Sequence, residues 1–188
     1  MTIKEIRARG RNIRIHGNGF LQLDLSEDGK LRLHIWDDSL PRQKIATPIH
    51  DHVFDLRSEV LCGTLIHEEL KPIEVGQGTH KIYRAVQEEG TQNTVLIPDE
   101  GEVLLKTEQR LCLAAGSLYT FPAWHLHESS SLGFTATLMR KENAPDSYGR
   151  PRVLVRVGQE PDNEFHRDGF DPECLWKYVE DVAHLVHL

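Results

Sequence analysis

Two imidazoles separated by one residue stand at His50 and His52, inside the stretch Ile49-His50-Asp51-His52-Val53-Phe54. On an extended strand, side chains at i and i+2 point to the same face, so the pair would present two ring nitrogens side by side. Neutral imidazole is the commonest protein metal ligand, and a pair of this kind needs a third donor. The downstream stretch Pro122-Ala123-Trp124-His125-Leu126-His127 offers one. Two His segments separated by a long run of strand-like sequence suggest a barrel that brings its ends together.

The spacing around these histidines carries more than the histidines themselves. His50 and His52 are followed by Leu56 and then Gly63, and the second stretch runs Gly116, Pro122, Trp124, His127, Ser131. This resembles the two signature motifs of the cupin superfamily: two His one residue apart, then Glu and Gly; and Gly, Pro, Gly, His, Asn. His50, His52, Gly63, Gly116, Pro122 and His127 match in type and register, while Leu56, Trp124 and Ser131 replace the usual Glu, Gly and Asn, and Lys44 stands at the leading Gly. Leucine cannot ligate. The resemblance therefore implies a metal held by His50, His52 and His127 alone, similar to the three-His centres of thiol dioxygenases such as cysteine dioxygenase and of some diketone-cleaving dioxygenases, which use Fe(II). The thiol enzymes also carry a Ser-His-Tyr relay after the third His, whereas this chain has Phe134-Thr135-Ala136-Thr137-Leu138-Met139, with no His or Tyr.

Three neutral ligands leave a divalent ion its full charge, which favours an anionic substrate bound directly, and a bidentate donor could fill the open positions. Fe(II) is the first expectation, and imidazole sets equally accept Ni, Zn or Cu. Arg57, Tyr83, Arg84 and Tyr119 are candidates to line the interior and hold a substrate carboxylate, and His125 is a candidate rim residue that shares the parity of His127. Glu59, the nearest carboxylate, points to the opposite face from His52 on an unbulged strand.

Composition narrows the partners. The 188-residue chain has 39% hydrophobic residues, enough for one ordinary core. Its net charge of −7, with 29 acidic against 22 basic residues and no long basic run, argues against nucleic acid. Cys62, Cys112 and Cys174 form no disulfide framework, which suits a reducing compartment, and Cys62 and Cys112 read as small buried hydrophobes. The N-terminus lacks the apolar core of a signal peptide and no segment is apolar enough to span a membrane, so a cytoplasmic protein is expected.

Periodicity supplies the scaffold. Residues 3 to 8 suit a short helix. From Ile13 the period becomes two, through Leu21, Leu23 and Leu25, a turn at Ser26-Glu27-Asp28-Gly29, and Leu31, Leu33 and Ile35. Ser58 to Ile73 reads as one long strand with Gly63 as a corner, followed by strands at 80 to 87, 94 to 97, 102 to 113, 119 to 122, 134 to 140 and 152 to 158. Pro98-Asp99-Glu100-Gly101 reads as a turn and 141 to 150 as a loop. Val60, Leu61, Leu65, Leu104, Leu111, Leu113, Phe134 and Leu138 are expected in the barrel core, Trp36 and Tyr148 as packing residues, and His34, His67 and His80 as half-exposed side chains. Asp171 and Pro172 open a helix whose apolar stripe, Leu175, Trp176, Val179, Val182, Ala183 and Val186, should lie across the barrel.

The expectation is an all-β chain, a double-stranded β-helix or cupin-type jelly-roll barrel, as one domain over 1–188 with its core at about 11–158 and a C-terminal α-helix at about 171–187. Its expected function is a non-haem Fe(II) dioxygenase oxidising a small molecule, with a homodimer implied by the resemblance. A cupin that binds a small molecule without catalysis, and a cupin isomerase or lyase, are the alternatives.

Overall fold

The computed structural model describes residues 2–41, 49–87, 94–143, 149–161 and 170–186. The chain folds as two antiparallel sheets with a C-terminal helix, the double-stranded β-helix architecture. The six-stranded sheet contains β1 (Arg11–Ile15), β2 (Leu21–Asp24), β3 (Leu31–Trp36), β4 (Asp55–Cys62), β8 (Leu118–Phe121) and β10 (Thr135–Glu142), in the order β1-β2-β3-β10-β4-β8. The five-stranded sheet contains β5 (Thr64–Val75), β6 (His80–Gln87), β7 (Thr94–Ala114), β9 (Leu126–Ser131) and β11 (Arg152–Arg156), in the order β11-β6-β7-β5-β9.

Gly63 is the corner where β4 leaves one sheet and β5 enters the other. Its φ of +74° is left-handed, and a Cβ there would overlap the Phe134 carbonyl and Thr135, so only glycine fits. The break expected at this position is therefore a change of sheet.

The six-stranded sheet turns its apolar side outward. Ile15, Leu21, Leu23, Leu33, Ile35 and Ala136 form the largest core, and α2 (Pro172–Leu185) covers them with Leu175, Trp176, Tyr178, Val179 and Val182. The Asp171 side chain accepts from the Glu173 amide and Pro172 follows it, as the sequence predicts. The N-terminal helix α1 (Ile3–Arg9) adds Ile6 to the same core, and Thr2 and Glu5 form a reciprocal capping box at its start. Alternation then forces Arg14, Gln22, His34 and Thr137 onto the opposite, inward side.

The five-stranded sheet is closed by a segment outside its strands. His50 pairs with His127 of β9 on one side and with Val153 of β11 on the other. The His50 and His127 amides exchange hydrogen bonds with each other's carbonyls at 3.0 and 2.9 Å, and Leu154 N donates to the Ile49 carbonyl. The ring so formed buries Ile49, Leu70, Ile82, Val103, Leu105, Leu126 and Leu154 together.

Several local expectations change. Residues 98–101 do not turn: β7 runs unbroken from Thr94 to Ala114, and the extra residues are absorbed as an irregularity in its pairing with β6 between Lys81 and Tyr83. Leu104 is exposed because its side of β7 faces away from that ring. Cys112 is exposed as well, on the opposite face, because the register shift in the β5–β7 pairing between Glu69 and Leu70 inverts the parity of β7. Leu61, Phe134 and Leu138 pack outward against the helix-covered core, while Val60 and Leu65 are fully buried inside. Lys44, Pro48, Pro145, Tyr148 and the last residue expected in the helix, 187, lie outside the described residues. No helix among the described residues is long and apolar enough to cross a membrane.

Leu175 is 1% exposed beneath α2. Leu175→Ala should therefore cost ~3 kcal/mol in urea unfolding while leaving the histidine site intact, measured as unchanged metal stoichiometry in the folded protein.

Candidate metal centre

His50, His52 and His127 converge. One nitrogen from each lies within 4.8 Å of the other two, and the ring centroids are 4.5 to 5.0 Å apart. The His50-Asp51-His52 segment reaches this arrangement outside regular strand structure, since β4 begins only at Asp55. What holds it is its neighbours on both sides.

Asp51, between the two histidines, is 1% exposed. Its carboxylate accepts from the Arg152 amide at 2.6 Å and from Arg152 Nε at 2.6 Å. Arg152 Nη2 in turn donates to the Trp124 carbonyl at 2.7 Å, and the Trp124 amide donates to the His52 carbonyl at 2.7 Å. This circuit ties the first His segment, the loop before the third His and β11 into one unit. Trp124 takes a left-handed φ of +64°, the conformation a glycine would favour at that motif position.

His127 is 3% exposed, and its Nδ1–H donates to the His125 carbonyl at 3.2 Å. That bond fixes the tautomer and leaves Nε2 with its lone pair for a metal. The Asn18 amide nitrogen lies 3.1 Å from Nδ1 and 3.3 Å from Nε2 of His50, and Phe54 stacks on His52 at 4.8 Å. Burial, followed by the neighbouring imidazoles, holds His52 and His127 well below the usual imidazole range. Burial thus disfavours the charged form of both rings, and the neutral form is the one that binds a metal. Three imidazole nitrogens with no carboxylate among them fit a borderline divalent ion with open coordination positions. Leu56 is buried against Phe121 and Met139, so the usual carboxylate position is filled by hydrocarbon.

The candidate substrate residues separate. Tyr119 faces inward, its ring 5.6 Å from that of His67 and its hydroxyl pushed up to about 12 by burial. Arg57 is exposed on the outer side of β4, because the alternation that brings Leu56 and Ser58 inward sends Arg57 out with Glu59. Tyr83 is buried in β6, and among the described ring contacts it makes none with the three histidines. Arg84 is spent on Asp99 at 2.7 Å near the surface. His125 is exposed at the rim and meets Phe121 edge-on at 5.9 Å.

His67 is the residue that strand reading missed. It is 1% exposed, its ring lies 5.2 Å from His127, its Nδ1 pairs with Ser129 Oγ at 3.0 Å, and its Nε2 is buried without a protein partner. Its parity with Leu65 was the available signal. A groove of about 340 Å³ lined by Ser39, Pro41, Phe170 and Tyr178 lies against α2 and includes none of these residues.

No family model matches the chain, and no curated protein matches it. Among solved structures it is similar to hydroquinone 1,2-dioxygenase PnpCD in complex with Cd2+ and 4-hydroxybenzonitrile, at 16% identity and TM-score 0.33, over 63% of this chain and 61% of that one. It is also similar to hydroquinone 1,2-dioxygenase from Sphingomonas sp. TTNP3 with 4-hydroxybenzoate bound, at 13% identity and TM-score 0.33, over 62% and 61%. The matches thus span about three fifths of those chains. At that TM-score the likeness carries nothing for the site, which stands on its own geometry.

Removing Arg152 would strand a buried Asp51 carboxylate. Arg152→Met is expected to lower stability by ~3 kcal/mol in urea and to weaken metal binding by about tenfold or more, read by competition with a chelating dye. Acid should also unfold the metal-free protein. An unfolded imidazole takes its proton near 6.5, whereas burial lowers folded His67 to about 4. Between these values the unfolded chain binds more protons, so stability falls as pH drops from 6.5 towards 4. Urea midpoints across that range measure it, and His67→Gln should flatten part of the slope.

Proposed function

We propose that the chain is a cupin-type metal-dependent dioxygenase acting on a small anionic molecule. The single observation that carries this reading is the convergence of three imidazoles with leucine at the place of a carboxylate ligand. A divalent ion held that way keeps its whole charge, so anionic donors of a substrate gain more than they would at a site already neutralised by the protein. Fe(II) is the ion the proposal favours, because such a centre supplies the redox chemistry by which dioxygen reacts with a chelated organic substrate.

The chain's own residues supply geometry and a sheltered interior. His50, His52 and His127 would hold the ion, and the Asp51–Arg152–Trp124 circuit fixes the backbone that presents them. Phe54 and Phe121 pack against two of the rings and keep water from one side. His67 stands beside His127 with an uncommitted Nε2, where it can hydrogen-bond a bound molecule, and Tyr119 backs it.

Anaerobic loading with iron followed by oxygen-electrode assays on catechols, hydroquinones, diketones and thiols tests the proposal. One iron per chain and oxygen uptake with one substrate class are expected, and His127→Ala should lose both. Turnover without oxygen consumption would instead make the protein an isomerase or lyase. Tight binding of such compounds with no turnover in the whole panel would make it a binding protein.

A further inference from the structure

Six buried side-chain atoms among the described residues have no protein partner: Arg14 Nε, His34 Nε2, Trp36 Nε1, Ser58 Oγ, His67 Nε2 and Thr137 Oγ1. They do not scatter. Directly paired residues on neighbouring strands share a face, and the pairings run Arg14 to Gln22, Gln22 to His34, His34 to Thr137 and Thr137 to Val60, which lies in the interior. A parallel row runs Asp24 to Arg32, Arg32 to Met139, Met139 to Ser58 and Ser58 to Tyr119. Trp36 packs with interior Val60 and Leu65, and His67 lies 5.2 Å from His127. All six atoms thus belong to side chains on the inside of the barrel, where an unpaired polar group is costly.

Charge on this inner face is lopsided. Asp24 is saturated: it accepts from Arg14 at 3.3 Å, Arg32 at 3.1 Å, Gln22 at 3.0 Å and Asn12 at 3.2 Å. Arg14, 9% exposed, still has its Nε unused. Lys141 lies on the same side of β10 as Met139, and no carboxylate among the described residues comes within ion-pair distance of it. Its ammonium sits 4.7 Å above the Phe54 ring, and Phe54 stacks on His52. Burial, then the Arg32 charge, lowers Lys141 to about 8. The turn after β1 links this row to the centre at its other end: Phe20 packs on His34 at 4.7 Å, and Asn18 reaches His50.

We propose that the inner face of the six-stranded sheet is an anion subsite, in which Arg14 and Lys141 take the carboxylate of a small organic acid whose opposite end reaches the three-histidine centre. His34, Ser58 and Thr137 line the path between. One guanidinium N–H and one ammonium match the two oxygens of a carboxylate, whereas the three oxygens of a phosphate would call for more donors. The inference rests on the metal reading for the far end of the ligand, and it replaces Arg57 and Arg84 as the expected carboxylate partners.

The test uses 3,4-dihydroxybenzoate and 3,4-dihydroxybenzamide, which share a chelating catechol and differ in the distal charge. Dissociation constants are measured by intrinsic fluorescence, Trp36 lying in the interior, on Co(II)-loaded and metal-free protein. In the wild type the acid should bind about tenfold or more tightly than the amide, with and without metal. Arg14→Gln and Lys141→Gln should bring the ratio to within about twofold while the amide's affinity holds. A wild-type ratio near one overturns the subsite, as does a ratio that survives in both variants, or one seen only with metal, which would put the carboxylate on the ion. If Arg14→Gln unfolds, Lys141→Gln, at a partly exposed position, decides alone. A wild type that takes up no Co(II) defeats the metal reading and leaves the metal-free ratio to judge the subsite.

Discussion

The Asp51–Arg152 pair is the constraint on which the candidate site depends. Side chains at positions 50 and 52 would share a face on any extended segment, yet sharing a face does not bring them to His127. Their approach is set by the backbone of residues 49–51, which is held between β9 and β11 by isolated bridges at His50. Asp51 anchors that segment through a buried carboxylate whose two oxygens both go to Arg152, and Arg152 reaches across to Trp124. An exposed ion pair would contribute little. This one has a fully buried acidic partner and doubles as a backbone fastener, so its loss propagates to two ligand-bearing segments together.

A second feature follows from where the large core lies. In this chain the outer side of the six-stranded sheet is apolar and lies under α1 and α2, while the inner side carries Arg14, Gln22, Asp24, Arg32, His34 and Thr137. The helices thus take over the stabilising role that a barrel interior usually has. With hydrophobic burial provided from outside, the interior can hold polar groups, and the three-histidine cluster lies at one edge of that polar surface. The separate ring of hydrocarbon around Leu154 and Val103 stiffens the five-stranded sheet from its other side.

Much of this was legible in the sequence. The register of His50, His52, Gly63, Gly116, Pro122 and His127 placed the three histidines together, and the C-terminal helix declared itself through Asp171, Pro172 and its stripe. Parity also reached further than it was taken, since the alternation that turns Glu59 outward turns Arg57 outward too. What local pattern could not give was pairing between distant segments. The closure by residues 49–51, the partner of Asp51 and the depth of His67 all depend on which strands become neighbours. The apolar alternation of β1 to β3 revealed two faces without saying which would meet the helix, so His34 read as an ordinary half-exposed side chain and Arg14 drew no reading. Residues 98–101 looked like a turn because Pro and Gly mark both turns and bulges.

X-ray absorption at the iron edge of anaerobically loaded protein addresses the central claim most directly, because imidazole rings give multiple-scattering features that can be counted. The account predicts three imidazoles and no protein carboxylate around the ion in the wild type, with one ring fewer in a His127→Ala sample forced to bind by excess iron. A spectrum dominated by oxygen ligands, or a ring count that His127→Ala leaves unchanged, would contradict it.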